Sequence, residues 1–148
     1  MNKDIKKLVI HYTKKFGTND PFEIADRLGI LYQMCNIDFE GCYMFLKNHR
    51  YIFINRNLDS HTKKIVMAHE LGHAILHRRK NCYFIINKTF LLNSRTEKEA
   101  NMFASELLIT DETIMDLKEY SVQKISESIG YDRELVELKI TMMDLRNE

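Results

Sequence analysis

His69-Glu70-Leu71-Gly72-His73 is the stretch of this chain best equipped for chemistry. Two histidines four apart lie on one helical face, one turn above the other, so both imidazoles can reach one metal ion. Zinc takes neutral imidazole nitrogens at roughly 2.0–2.1 Å, and a catalytic site adds a third protein ligand and an open position for water. Glu70, directly after the first histidine, is placed to take a proton from that water and hand it to a leaving amine. The reaction implied is metal-assisted hydrolysis. Ile65, Val66, Ala68, Gly72, Ile75 and Leu76 make the rest of Ser60–Arg78 apolar. Polar groups at the edge of a core need partners, and a metal supplies one. Gly72 permits close approach of a second backbone or a substrate.

The third ligand separates the zinc enzymes that share this string. A metzincin carries glycine three residues and histidine six residues after the second histidine. Those positions are Leu76 and Arg79, which excludes the class. A glutamate from a later helix is the remaining common solution, and Thr96–Leu108 offers Glu97, Glu99 and Glu106. Asn101, four residues from Glu97 on the same face, can orient a ligating carboxylate or histidine. Glu99 lies about 200° around the helix from Glu97 and is expected to close a capping box with Thr96. Glu106, about 180° from Glu97, is expected to face solvent. Glu97 is the preferred ligand and Glu99 the alternative. His77 lies about 12 Å along the axis from His69, too far to share its metal, and reads as a supporting or surface histidine. Tyr51, His49 and Tyr83 are candidate oxyanion donors. His11, His49 and His61 otherwise read as surface or turn residues.

The elements that must position these groups follow from periodicity. Residues 3–16 put Ile5, Leu8, Val9, Tyr12 and Phe16 at helical spacing. Asp20-Pro21-Phe22-Glu23 opens a second helix that Gly29 stops. Ile30–Cys35, Gly41–Leu46 and Tyr51–Asn55 are short apolar runs, with His49 and Arg50 in the turn before the last, and predict a small, mostly antiparallel sheet. The motif helix spans about Ser60–Arg78 with Ser60 as its cap. Lys80–Ser94 reads as strand or packed loop. Thr96–Leu108 is helical, and further helices fall near 111–119, 121–129 and 132–146, with Gly130 ending the second of these. The class is α+β: a sheet packed on the motif helix, with additional N- and C-terminal helices.

At 148 residues with a formal net charge of +1, the chain reads as one domain, residues 1–148, with 111–148 a helical part of it. Cys35, Cys42 and Cys82 are an odd number without a C-x-x-C pair, which favours reduced, structural thiols in a cytoplasm. No run approaches the ~20 apolar residues that span a membrane, and the N-terminus lacks a signal-peptide pattern. Residues 121–140 can be read as a helix-turn-helix, which raises a DNA-binding regulator as an alternative. Yet residues 111–148 hold ten acids against five bases, a net of −5 that repels phosphate. No nucleic-acid or membrane partner is expected.

The string Val66–His77, followed by Glu97-Lys98-Glu99-Ala100-Asn101-Met102-Phe103-Ala104-Ser105-Glu106-Leu107-Leu108, resembles the ImmA/IrrE family of bacterial zinc metallopeptidases. Looser likeness reaches Tyr51–Asn55 and Val122–Leu138. The resemblance implies a zincin-like fold, one zinc per chain held by His69, His73 and Glu97, and Glu70 as general base. It also implies an anti-repressor protease of phages, mobile elements or stress loci, acting on a helix-turn-helix repressor. The second block departs from the family's usual Leu-Leu-Met-Pro ending, reading Leu107-Leu108-Ile109-Thr110, which touches a helix exit and not the ligand set. A further alternative is a zinc-binding regulator or toxin–antitoxin partner with little proteolysis; an intact Glu70 weighs against it.

Overall fold

The computed structural model describes residues 2–81 and 95–147. Helices α1 (Asn2–Phe16) and α2 (Pro21–Arg27) lead into strands β1 (Leu31–Cys35), β2 (Gly41–Leu46) and β3 (His49–Asn55). Helices α3 (Ser60–Leu76), α4 (Arg95–Leu108), α5 (Asp111–Asp116), α6 (Val122–Ile129) and α7 (Arg133–Asn147) complete the described chain. The class is α+β, as the periodicity predicts. None of the described helices is long and apolar enough to cross a membrane.

Local chemistry explains most of the boundaries. The Asp20 side chain caps α2 by accepting from the Phe22 amide at 3.0 Å, and Pro21 needs no donor there. Gly130 ends α6 in the left-handed conformation, φ 79°. The cap of α3 is Asp59 and not Ser60: its carboxylate accepts from the Thr62 amide at 2.7 Å, a stronger anchor than a hydroxyl.

The sheet is mixed, which departs from the mostly antiparallel expectation. Its order is β1-β3-β2. β2 and β3 form an antiparallel hairpin, whereas β1 joins β3 in parallel, Leu31 opposite Tyr51 through Cys35 opposite Asn55. The hairpin turn is Lys47-Asn48, both at positive φ (49° and 65°), the backbone twist that two-residue hairpins favour. His49 and Arg50 therefore belong to β3, not to the turn. Placed there, Arg50 reaches the Ala74 carbonyl in the last turn of α3 and the Leu28 carbonyl after α2, both at 3.2 Å. A cation satisfies helix-terminal carbonyls well.

One face of the sheet carries Tyr43, Ile52 and Ile54, all fully buried, against Val66, Met67 and Leu71 of α3. The other side of α3 meets α4. Gly72 makes that crossing tight, since a Cβ there would lie 3.1 Å from the Phe103 Cβ and 3.2 Å from the Ala100 Cα. The close approach that Gly72 permits is thus to a backbone.

α4 lies between α3 on one side and α1 and α7 on the other. Glu106 is therefore buried, contrary to the solvent-facing expectation. Its carboxylate pairs with the wholly buried Lys139 of α7 at 3.1 Å and with Lys6 of α1 at 3.1 Å. Asp111 joins both lysines, at 2.5 Å and 2.8 Å. A helix covered on two faces has no solvent side opposite its core stripe, so a face argument built on one neighbour places Glu106 wrongly.

Candidate metal centre

α3 presents His69, Glu70, His73 and His77, and α4 presents Glu97, Glu99 and Asn101. One helical turn separates His69 and His73, whose ring centroids are 4.8 Å apart. The Glu97 carboxylate sits between them: Oε2 lies 2.9 Å from the His69 Nε2 and Oε1 2.8 Å from the His73 Nε2. One ligand atom from each of the three residues lies within 4.8 Å of the others. His73 and Glu97 are buried, while the His69 side chain keeps 17% exposure and marks the side open to solvent.

The distal ring nitrogens are also engaged. The Asn101 Oδ1 stands 2.7 Å from the His69 Nδ1. The His77 Nδ1 stands 3.2 Å from the His73 Nδ1, and the His77 Nε2 is 3.0 Å from the Glu99 Oε1. Glu99, the alternative third ligand, thus turns to His77 and not to the histidine pair. α4 is already helical at Arg95, so Thr96 lies inside the helix and Glu99 is released from the predicted capping position.

Glu70 is 4% exposed, with Oε2 at 4.0 Å from the His69 Nε2. Among the described residues, its Oε1 is the one buried side-chain nitrogen or oxygen without a hydrogen-bond partner. Burial raises its pKa, the neighbouring His69 charge counters this, and Glu97 and Glu40 add to the rise, to about 7. Burial acts against ionised Glu97 too, but the hydrogen bonds from His69 and His73 outweigh it and hold the carboxyl near about 2. For His69, burial favours the neutral ring; the Glu97 and Glu70 carboxylates prevail and raise it to about 9. His73 goes down, through burial and the other two histidines, despite Glu97. Where one positive charge must sit between these groups, it sits on the His69 side of an ionised Glu97.

This donor set fits a zinc-like cation. Two imidazole nitrogens and a carboxylate are the borderline ligands such an ion takes, and an unpartnered carboxylate oxygen beside them suits a water next to the ion. The ionised Glu97 supplies the negative charge that a cation would meet once His69 has given up its proton.

Two of the candidate oxyanion donors, His49 and Tyr51, are not brought to this cluster. Strand alternation sends Ile52 and Ile54 toward α3, leaving His49, Tyr51 and Phe53 in a row on the opposite face, His49 edge-on to Tyr51 with centroids 6.3 Å apart and Tyr51 stacked on Phe53 at 6.4 Å. Tyr83 lies outside the described residues, as do Cys82 and most of the strand-or-loop segment Lys80–Ser94. Cys35 is half-buried and Cys42 buried, both free; burial, then the Glu70 and Cys35 charges, push the Cys42 thiol up to about 12. His11 lies edge-on to Tyr12. His61, read as a surface residue, contacts the Gly130 carbonyl and tilts over Tyr131, tying the start of α3 to the turn after α6.

Gly41 is a feature that sequence reasoning missed. A Cβ there would stand 2.7 Å from the Val66 Cγ1, 2.9 Å from the Phe53 carbonyl oxygen and 3.6 Å from the Glu70 Cγ. The start of β2 is therefore pressed onto α3 at Glu70. A glycine opening an apolar run was the available signal.

Comparison with known proteins agrees with this geometry. A family model described as the IrrE N-terminal-like domain matches residues 17–140. The chain is similar to "Uncharacterized immunity region protein 2" of Bacillus phage phi105, 37% identical over 147 residues, covering 97% of this chain and 92% of the relative. It is also similar to "Metallopeptidase ImmA" of Bacillus subtilis (strain 168), 35% identical over 124 residues, 80% of this chain and 71% of the relative. With a matching family model over most of its length and a His-His-Glu cluster in place, the chain belongs to the ImmA/IrrE family of metallopeptidases.

Proposed function

We propose that the protein is a zinc-dependent endopeptidase that cleaves a helix-turn-helix transcriptional repressor in the cytoplasm, with one zinc held by His69, His73 and Glu97. The observation that carries this reading is the unpartnered Oε1 of buried Glu70 beside the three-donor cluster. A structural zinc site needs no such group, because its four positions are closed by protein ligands.

A zinc ion bound there supplies Lewis acidity that activates a water and polarises the scissile carbonyl. Glu70 accepts the proton of the attacking water as the new C–O bond forms. It then delivers that proton to the amide nitrogen as the C–N bond breaks. Burial brings Glu70 close to neutrality in proton affinity, the range in which one group can both accept and donate. Asn101 holds the His69 ring by accepting from its Nδ1–H, which leaves Nε2 for the metal. The phage relative named for an immunity region supports a regulatory protein as substrate. Helices α5 to α7 lie within the acidic stretch 111–148, which suits contact with a basic DNA-binding protein and disfavours direct binding to nucleic acid.

Co-expression with a repressor encoded beside the gene, comparing wild type with Glu70→Gln, tests the reading. Wild type is expected to cut the repressor at a defined bond, and Glu70→Gln to retain zinc and leave the repressor whole. Cleavage by the purified Glu70→Gln protein would sink the mechanism. An intact repressor with zinc-loaded wild type would favour a binding role without proteolysis.

A further inference from the structure

His73 and His77 form a chain between two carboxylates, Glu97 and Glu99, and a metal on His73 would give that chain a direction. We infer that His77 and Glu99 are positioning residues: in the metal-loaded protein they fix the His73 ring with its proton on Nδ1, so that Nε2 presents its lone pair to the metal. This rests on the proposed ligand role of His73.

A neutral imidazole has one donor and one acceptor nitrogen, and its neighbours decide which is which. An ionised carboxylate only accepts. The Glu99 Oε1, 3.0 Å from the His77 Nε2, therefore calls for a proton on that nitrogen. His77 is then left with a bare Nδ1. That atom stands 3.2 Å from the His73 Nδ1, so the hydrogen between them belongs to His73. The His73 Nε2 stands 2.8 Å from the Glu97 Oε1, to which it donates while no ion is bound. A metal taken up there displaces that proton, and His73, protonated on Nδ1, then offers the ion a lone pair on Nε2.

His69 reaches the same state in one step, through the Asn101 Oδ1. The two ligand rings are thus set alike by two residues of α4, Asn101 directly and Glu99 through His77. Arg95, 3.7 Å from the second Glu99 oxygen, sits at the outer end of the longer chain. His77 suits the intermediate place because α3 ends there. As the C-cap its backbone leaves the helical region (φ −129°, ψ 50°), while it remains one turn from His73.

Zinc affinity measured by competition with a chromophoric chelator tests the relay, without recourse to activity. Loss of a partner behind a ligating histidine typically weakens binding about 10–100-fold, and His77→Leu is expected to fall in that range. His77→Asn, whose Oδ1 can accept where Nδ1 did, is expected to bind more tightly than His77→Leu, with Glu99→Ala weaker than wild type. Nitrogen-15 spectra of the zinc-loaded wild type are expected to show His77 protonated on Nε2 and His73 on Nδ1, a signature that a merely space-filling role would not impose. Wild-type affinity in His77→Leu, or a His77 proton on Nδ1, overturns the relay alone; should His77→Leu fail to fold, the Glu99→Ala comparison and the spectra decide. A wild type that takes up no zinc overturns both the relay and the proposed metal site.

Discussion

Gly72 and Ala100 hold α3 and α4 so close that a Cβ on residue 72 would come 3.2 Å from both the Cα and the carbonyl oxygen of Ala100. Glu97 stands one turn before Ala100, so this contact sets the depth at which the carboxylate meets the histidines.

Substitution at Gly72 therefore tests packing and ligand placement together. Alanine gains about 1 kcal/mol of helix propensity, but overpacking costs about 1–3 kcal/mol, so Gly72→Ala is expected to be mildly destabilising. Gly72→Val adds branching against the Phe103 Cβ and is expected to lower the thermal midpoint further and to reduce zinc stoichiometry. Calorimetry and metal analysis of the two variants check this; a Gly72→Val protein with full zinc and an unchanged midpoint would contradict it.

Removing the metal should expose the same coupling. Saturating zinc stabilises a folded site by about 2.7 kcal/mol at a hundredfold excess over Kd. A chelator is expected to lower the melting temperature of the wild type. Glu97→Ala is expected to show little response to zinc or chelator, since the carboxylate between the two rings is gone.

The buried pair Lys139–Glu106 invites a double-mutant cycle. Both side chains are fully buried, and leaving one buried charge unpaired typically costs about 3–5 kcal/mol. Lys139→Met is expected at the lower end, because Lys6 still faces Glu106 at 3.1 Å. Combining it with Glu106→Gln is expected to cost less than the sum of the two single changes, measured by urea unfolding. Strict additivity would show that the pair is not coupled.

Acid stability gives a fourth test. Burial pushes the Asp111 carboxyl up, but hydrogen bonds from Lys139 and Lys6 outweigh this and bring it down to about 2. An unfolded aspartate titrates near about 3.9. The folded state therefore holds fewer protons between these values. Its contribution is complete above about 4 and lost as pH falls through about 2. Asp111→Asn is expected to flatten the decline of stability over that window, read from urea midpoints at successive pH values. An identical slope in the variant would remove Asp111 from the account.

The histidine pair was legible from its four-residue spacing, and Glu97 only as a preference over Glu99, because spacing places each on a helix face without saying which faces meet. Partner choice was less so. Alternation identifies β1 and β3 as strands, yet their parallel pairing depends on a crossover that no local pattern records. Arg50 looked like a turn residue because the apolar run starts one position later, whereas the tight Lys47-Asn48 turn draws it into β3. Glu99 resembled a cap because helix starts carry such residues. Its bond to His77 arises only when two helices from different parts of the chain cross.

α4 carries Glu97 near its first turn and Glu106 near its last, and both are tethered to other helices. Its 14 residues span about 21 Å. Fraying normally begins at helix ends, the cheapest places to open. Here each end is pinned by charge to a different helix, so α4 has no free terminus from which to unzip. Local opening of the metal centre must then detach α3 as well, which makes the helix a shared element of two otherwise separate polar clusters.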